Sequence, residues 1–422
     1  MVKNKFLKYS LILVITSFIS KILALIIKIF ETRVLDFKLI SLVSLLFPTF
    51  NILITLSLFG TPLATQILVS KSKYKEKDIL FTNIVLSFLI TLLLSIIVLI
   101  ISKPYIYNVL KNKNLLLAFK SLILILPITL VSQNIRSFLN GKSRYMLVQV
   151  SSILEYIIKL LATIFLFKYF NNINISLSIT FIFLLNIVYE SITTLFLIHF
   201  INKDKMMFNK EIIKDDKRIV VSYTLKEIIN SFIMFLEPIL ITNLYSKEVL
   251  NKYLYMINYN TPLLLAPTFI ITSLSSLLIT SISKCNNKKD IITILKKVLI
   301  FIIVFSCIYL FALKKFDTKI VYLIFKIKGP SFIKKFPFTF ILLYIEGVFS
   351  ILFDALEKSK INLYMSVTSS FVRSFSLVIL SFTSLGINSY IYSLNINIII
   401  TFILDIYFLK RIFFHKNYII VW

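Results

Sequence analysis

Residues 80–102 read LFTNIVLSFLITLLLSIIVLIIS, with Lys75-Glu76-Lys77-Asp78 just before them and Lys103 directly after. No side chain in that run is charged. As a helix it extends about 35 Å, enough to cross a hydrocarbon core of about 30 Å. The run does not alternate apolar and polar residues, as a strand of a membrane barrel would. The fold class therefore turns on how many such runs the chain holds.

It holds about twelve. The first spans roughly 10–30, and others follow near 39–69, 116–139, 145–167 and 175–201. After the polar stretch INKDKMMFNKEIIKDDKR come runs near 219–244, 254–283, 291–313, 337–356, 362–383 and 387–409. The start, MVKNKFLK, resembles the charged start of a signal peptide. Its apolar run is too long for one and no small-residue cleavage site follows, so it reads as a retained span. Composition agrees: 58% of the 422 residues are hydrophobic and 16% charged, where a soluble domain carries about a quarter charged. The expectation is an all-α polytopic membrane protein in two six-helix lobes, 1–201 and 219–422, joined by a linker at 202–218.

The net charge is +28, carried mostly by Lys. These lysines cluster between apolar runs and no basic domain stands free, which excludes a nucleic-acid partner. With the N-terminus in the cytoplasm, inside segments carry 23 Lys and Arg against 15 outside. Seven of the 15 lie in one segment, 314–335, so both termini are read as cytoplasmic. That segment has an apolar centre and Lys at both ends, and is expected to lie at the outer surface against lipid headgroups. Two cysteines, Cys285 and Cys307, and two histidines, His199 and His415, supply neither a disulfide framework nor a metal-ligand spacing. No cofactor and no nucleophilic catalytic apparatus is expected.

The halves echo one another. Pro48-Thr49-Phe50 recurs as Pro267-Thr268-Phe269, Gly-Lys-Ser-Arg at 141–144 as Glu-Lys-Ser-Lys at 357–360, and Ser151-Ser152 as Ser369-Ser370. A repeat of six spans keeps its topology, so the lobes would be related by a pseudo-two-fold axis along the membrane normal, with a pocket between them.

Ionisable groups inside the spans are the candidate functional residues, because each costs about 3 kcal/mol at the bilayer centre. Lys21 and Lys28 stand seven apart on one face of the first span. An inward face would make a cationic wall suited to a phosphate or pyrophosphate group. Glu155 and Lys159 stand at i, i+4, in the order that favours mutual pairing. Glu190, Glu237, Glu346, Asp354 and Asp405 are further acids in or near spans. Arg373 sits where the repeat places Glu155 and is expected to meet Asp354 or Asp405. Gly60-Thr61-Pro62 interrupts the second run, and the backbone groups it frees must face protein or a water-filled cavity. Gly60 and Pro62 are therefore gating candidates.

Three stretches carry a family resemblance. Ser20-Lys21-Ile22-Leu23 resembles the Ser-Arg-aliphatic-Leu stretch of lipid II flippases. Gly60-Thr61-Pro62-Leu63-Ala64 resembles the Gly-x-Pro-x-Ala signature of the polysaccharide flippase branch that includes stage V sporulation protein B. NIRSFLNGKSRYMLVQVSSILEYIIK resembles that branch's connection between fourth and fifth spans, with Arg136, Gly141, Ser151, Glu155 and Lys159 on matching positions. The resemblance implies the multidrug/oligosaccharidyl-lipid/polysaccharide exporter superfamily, whose two lobes rock to expose a cavity to either side. In the lipid II branch several arginines hold pyrophosphate. Lys21 stands where one is usual, Lys28 lies near a second and Asn51 near a third.

The implied substrate-binding set is Lys21, Lys28, Asn51, Arg136, Glu155 and Lys159. The implied partners are a lipid-linked saccharide and membrane lipids, and Na⁺, H⁺ or the membrane potential is the driving force. A multidrug exporter of the same superfamily is the alternative, and cationic Lys21 argues against it. A membrane glycosyltransferase would need a large extramembrane domain, and the longest connections here are about 20 residues.

Overall fold

The computed structural model describes residues 2–71, 74–170, 174–201, 206–271, 278, 282, 287–327, 332–336, 339–356 and 358–414. Every regular element among them is helical. Nine helices among the described residues are long and apolar enough to cross a membrane, and each falls on a run read from the sequence. A tenth, Thr339–Phe353, is shorter. Parts of the runs at 10–30 and 254–283 lie outside the described residues or side chains. The chain is a multi-pass membrane protein.

It divides into two compact units. One comprises Ile15–Asn243 and the other Leu244–Trp422 with Met1–Val14. In the first, α1 (Val2–Val34), α2 (Phe37–Leu58), α3 (Thr61–Lys71), α4 (Glu76–Pro104), α5 (Leu116–Gly141), α6 (Tyr145–Phe170), α7 (Ile175–Ile198) and α8 (Lys210–Leu244) follow in order. α5 is the central element, packed on α3, α4 and α7, with α6 laid on α7.

The quoted run forms α4, and its exposure is inverted relative to a soluble helix. Ser87 and Thr91 are 0% and 1% exposed, whereas Leu93 and Ile100 are 63% and 75% exposed. A wide apolar face turned outward with polar residues inward is what lipid as solvent selects. The inward hydroxyls are satisfied locally: Ser87, Thr91 and Ser95 donate to carbonyls one turn back at 2.8, 2.8 and 2.9 Å. Deeper in, Asn83 Nδ2 donates to Thr65 Oγ1 at 2.9 Å, and Thr65 lies 3.3 Å from Asn134 Oδ1. This fully buried chain joins α3, α4 and α5. Asn83→Leu removes one neutral hydrogen bond and leaves Thr65 its bond to the Thr61 carbonyl. A loss of about 1 kcal/mol is therefore expected in equilibrium unfolding of the detergent-solubilised protein.

The second apolar run is two helices. Phe59 and Gly60 adopt left-handed conformations, φ 46° and 66°, between α2 and α3. Pro62 falls in the first turn of α3. It has no N–H for the Leu58 carbonyl four residues back, and Thr61 Oγ1 donates to that carbonyl at 2.8 Å instead.

In the second unit, α9 (Lys247–Tyr255) and α10 (Thr261–Leu264) flank a π-turn. They are followed by α11 (Lys288–Phe325), α12 (Thr339–Ala355), α13 (Ser359–Ser381) and α14 (Ile387–Phe414). Pro267 likewise has no N–H for the Leu263 carbonyl, which accepts from the Tyr309 hydroxyl at 2.8 Å. The segment expected to lie flat at 314–335 is continuous helix as far as Phe325. α11 has 38 residues, about 57 Å, well beyond a bilayer core. Leu313, Asp317, Val321 and Phe325 recur every fourth residue and are buried, which holds this extension on the unit while Lys314, Lys315 and Lys319 face outward.

Candidate functional site

Four of the six substrate-site candidates converge inside the first unit. Arg136 on α5 pairs with Glu155 on α6 and donates to Ser152 Oγ at 2.9 Å and Thr193 Oγ1 at 3.3 Å. Lys159, one turn past Glu155, holds its ammonium 5.7 Å from the centre of the Tyr189 ring. Lys28 of α1 lies within electrostatic reach of Lys159 and of Glu31. The i, i+4 spacing of Glu155 and Lys159 predicted a pair along one helix. Glu155 is taken instead by Arg136, whose fork meets a carboxylate and two hydroxyls at once.

The substrate-binding set read from the sequence left out part of this cluster, although Glu190 stood among the acids singled out in the spans. Glu190 on α7 accepts from Thr129 Oγ1 at 2.6 Å and feels both Glu155 and Arg136. Tyr189 donates to Asn186, and its surroundings include Glu190, Glu155 and Glu31. With Glu31 and Glu190 included, three bases face three acids, so the group is balanced when all are ionised. Glu31 stands three residues after Lys28, a helical spacing that already signals the pair. Glu190 carried no such signal, because its partners come from other helices.

The other two candidates lie elsewhere. Lys21 is exposed and has no hydrogen bond or ion pair with a described residue. The apolar residues Ile15, Phe18, Ile19, Ile22 and Ile26 form one exposed stripe on α1. Lys21 stands roughly 120° round the helix from it, on the side of Lys28. Asn51 is half-buried on α2, and its carbonyl accepts from Thr55 at 3.0 Å.

The helix break adjoins a cavity of about 280 Å³. Gly60 and Pro62 line it, together with Gln66, Gln133, Ser137 and Glu227. The polar end nearby is clamped: Lys142 pairs with Glu76, and Arg144 donates to the Phe200 carbonyl at 2.9 Å. In the second unit, Arg373 meets the Tyr390 hydroxyl at 3.2 Å. Glu346 accepts from Thr401 at 2.6 Å, with buried Asp405 in its field. The Asp354 side chain lies outside the described residues.

The first unit thus holds a half-buried ionic cluster and, at a helix break, a polar cavity. The family of polysaccharide biosynthesis proteins matches residues 6–279, more than half the chain. The chain belongs to that family. Stage V sporulation protein B of Bacillus subtilis (strain 168) is 22% identical over 414 residues, covering 92% of this chain and 80% of that protein. A multidrug resistance MATE family transporter of the MOP superfamily, solved in an inward-facing conformation, superposes with TM-score 0.76 at 15% identity. That match covers 93% of this chain and 94% of the other. A MATE structure in the bent conformation gives TM-score 0.67 at 15% identity, over 95% of this chain and 94% of that one. The likeness to these structures is one of fold. In this polysaccharide biosynthesis family member, the ionic cluster thus sits on α1, α5, α6 and α7, and both α5 and α6 lie within the matched residues.

Proposed function

We propose that the chain is a flippase. Its cargo is a lipid-linked oligosaccharide or cell-wall precursor of the polyprenyl-pyrophosphate type, carried across the bacterial cytoplasmic membrane by alternating access. Its two six-helix lobes are 1–201 and 219–422, joined by 202–218, with both termini cytoplasmic. The family assignment supports this, and so does the relation to stage V sporulation protein B. The observation that carries an anionic headgroup is Lys21: a charged, exposed side chain on α1, the helix read from the sequence as the first span, off the apolar stripe. An ammonium there costs about 3 kcal/mol without a partner, and a phosphate oxygen supplies one. Lys28, Asn51, Arg136, Glu155 and Lys159 complete the site, and Gly60 and Pro62 are the points about which α2 and α3 flex. Na⁺, H⁺ or the membrane potential drives the step.

Lys21→Ala tests it. A hydrogen bond to a charged group is worth about 1.5–3 kcal/mol. Flipping of a lipid-linked sugar in proteoliposomes should therefore slow roughly ten- to a hundredfold. Thermal stability should hold, because Lys21 has no partner within the described protein. Unchanged flipping removes Lys21 from the mechanism. The second reading, a multidrug efflux antiporter, is favoured by the MATE-like fold. It would appear as a resistance profile that depends on the gene, with no effect on lipid-linked sugars.

A further inference from the structure

We propose that the cavity beside the α2–α3 break is a saccharide subsite, in which hydroxyl and amide groups of an uncharged sugar ring are read by Gln66, Gln133, Ser137 and Glu227. This rests on the flippase reading for its lipid carrier and goes beyond it in assigning where the sugar sits.

The wall is the first argument. Gln66 of α3 and Gln133 and Ser137 of α5 are half-buried, face the cavity and hydrogen-bond through their side chains to no other described residue. Inside a spanning bundle such groups must be met by water or by a ligand, because lipid offers them nothing. Gln133 and Ser137 stand four apart on α5, so both reach the same space from one helix face. Each carboxamide presents donors and an acceptor, as does the serine hydroxyl, and the Glu227 carboxylate accepts. That alternation of donors and acceptors is what vicinal hydroxyls and an N-acetyl group require.

Charge and shape are the second argument. Among the described lining residues the charged side chain is the acid Glu227, which disfavours the pyrophosphate itself. The described lining residues offer an organic cation no aromatic ring. Its volume, about 280 Å³, lies at the small end of ligand sites, which begin at about 300 Å³. The subsite therefore takes one sugar ring, not a chain. The break is what makes the space. Phe59 and Gly60 in left-handed conformations displace α3 from the line of α2, and Gly60 and Pro62 leave their side of the cavity without a long side chain.

The experiment uses the full chain with Cys285→Ser, Cys307→Ser and Ser137→Cys, reconstituted in proteoliposomes and labelled with N-ethylmaleimide. The probes are polyprenyl diphosphate bearing N-acetylglucosamine or N-acetylgalactosamine, bare polyprenyl diphosphate, the corresponding free methyl glycosides, and tetraphenylphosphonium. The expected result is that the sugar-bearing lipid slows labelling about tenfold while the bare lipid does not, as the loss of one or two sugar hydrogen bonds implies. Adding Gln66→Leu and Gln133→Leu should abolish that protection and leave labelling without lipid unchanged. Equal protection by both lipids overturns the proposal, since the carrier would then fill the space. Protection that survives the double Leu change overturns it, as does protection by tetraphenylphosphonium alone, or by nothing. Protection by the methyl glycosides with neither lipid active keeps the subsite and removes the flippase reading.

Discussion

Arg136→Leu is expected to cost the protein about 3 kcal/mol, the low end for a buried pair, because it strips a half-buried carboxylate of its counter-charge. The Arg136 and Glu155 side chains are 11% and 23% exposed, so water replaces little of what is lost. Ser152 and Thr193 lose their guanidinium partner in the same step. The cluster of three bases and three acids is left with an excess negative charge, and Glu190, which feels both Arg136 and Glu155, feels only the acid. Glu155→Leu should be damaging for the mirror reason. The double change Arg136→Leu with Glu155→Leu removes one charge of each sign and restores the balance, and leucines fill the space with apolar atoms. It should recover most of the stability lost by either single change. Thermal unfolding of the three detergent-solubilised variants reads this directly. A double variant as unstable as the sum of the singles would mean that the two side chains do not compensate one another.

The same cluster shows what a single sequence conveys and what it withholds. The spans are legible because lipid imposes one rule on every helix, so the run at 80–102 needs no knowledge of its neighbours. The break at Gly60-Thr61-Pro62 is legible because Pro removes a donor wherever it sits. The identity of the ion pair is not. The spacing of Glu155 and Lys159 describes one helix, whereas the pair that forms, Arg136 with Glu155, depends on how α5 and α6 rotate against each other. Glu190 enters the group for the same reason, through Thr129 on a different helix. Reading 314–335 as a flat surface segment weighs its lysines and its apolar centre. It misses that Leu313, Asp317, Val321 and Phe325 recur at helical spacing and continue the span before them. Gln66 and Gln133, unremarkable as isolated polar residues, gain meaning once the cavity brings them together.

Gly141 is the position where one added methyl group should do the most harm. A Cβ there would sit 2.8 Å from the Gln66 carbonyl oxygen and 2.9 Å from Val69 Cβ. The first of these is backbone, so the clash cannot be relieved by a rotamer, and α3 must move away from α5 as a body. Close approach of helices through a small residue is how spanning helices gain contact without a hydrophobic driving force between them. Moving α3 also stretches the Thr65–Asn134 contact and displaces Gln66. Gly141→Ala should therefore cost about 1–3 kcal/mol and Gly141→Val more. Gly347 supplies the contrast. Its added Cβ would meet Ile271 Cγ2 at 3.1 Å and Cδ1 at 3.2 Å, the ends of a side chain that can turn aside. Gly347→Ala should accordingly lie well below Gly141→Ala in cost. Unfolding midpoints of the two variants, measured side by side, decide it. A Gly347→Ala variant as unstable as Gly141→Ala would show that the α3–α5 contact is not the tight one.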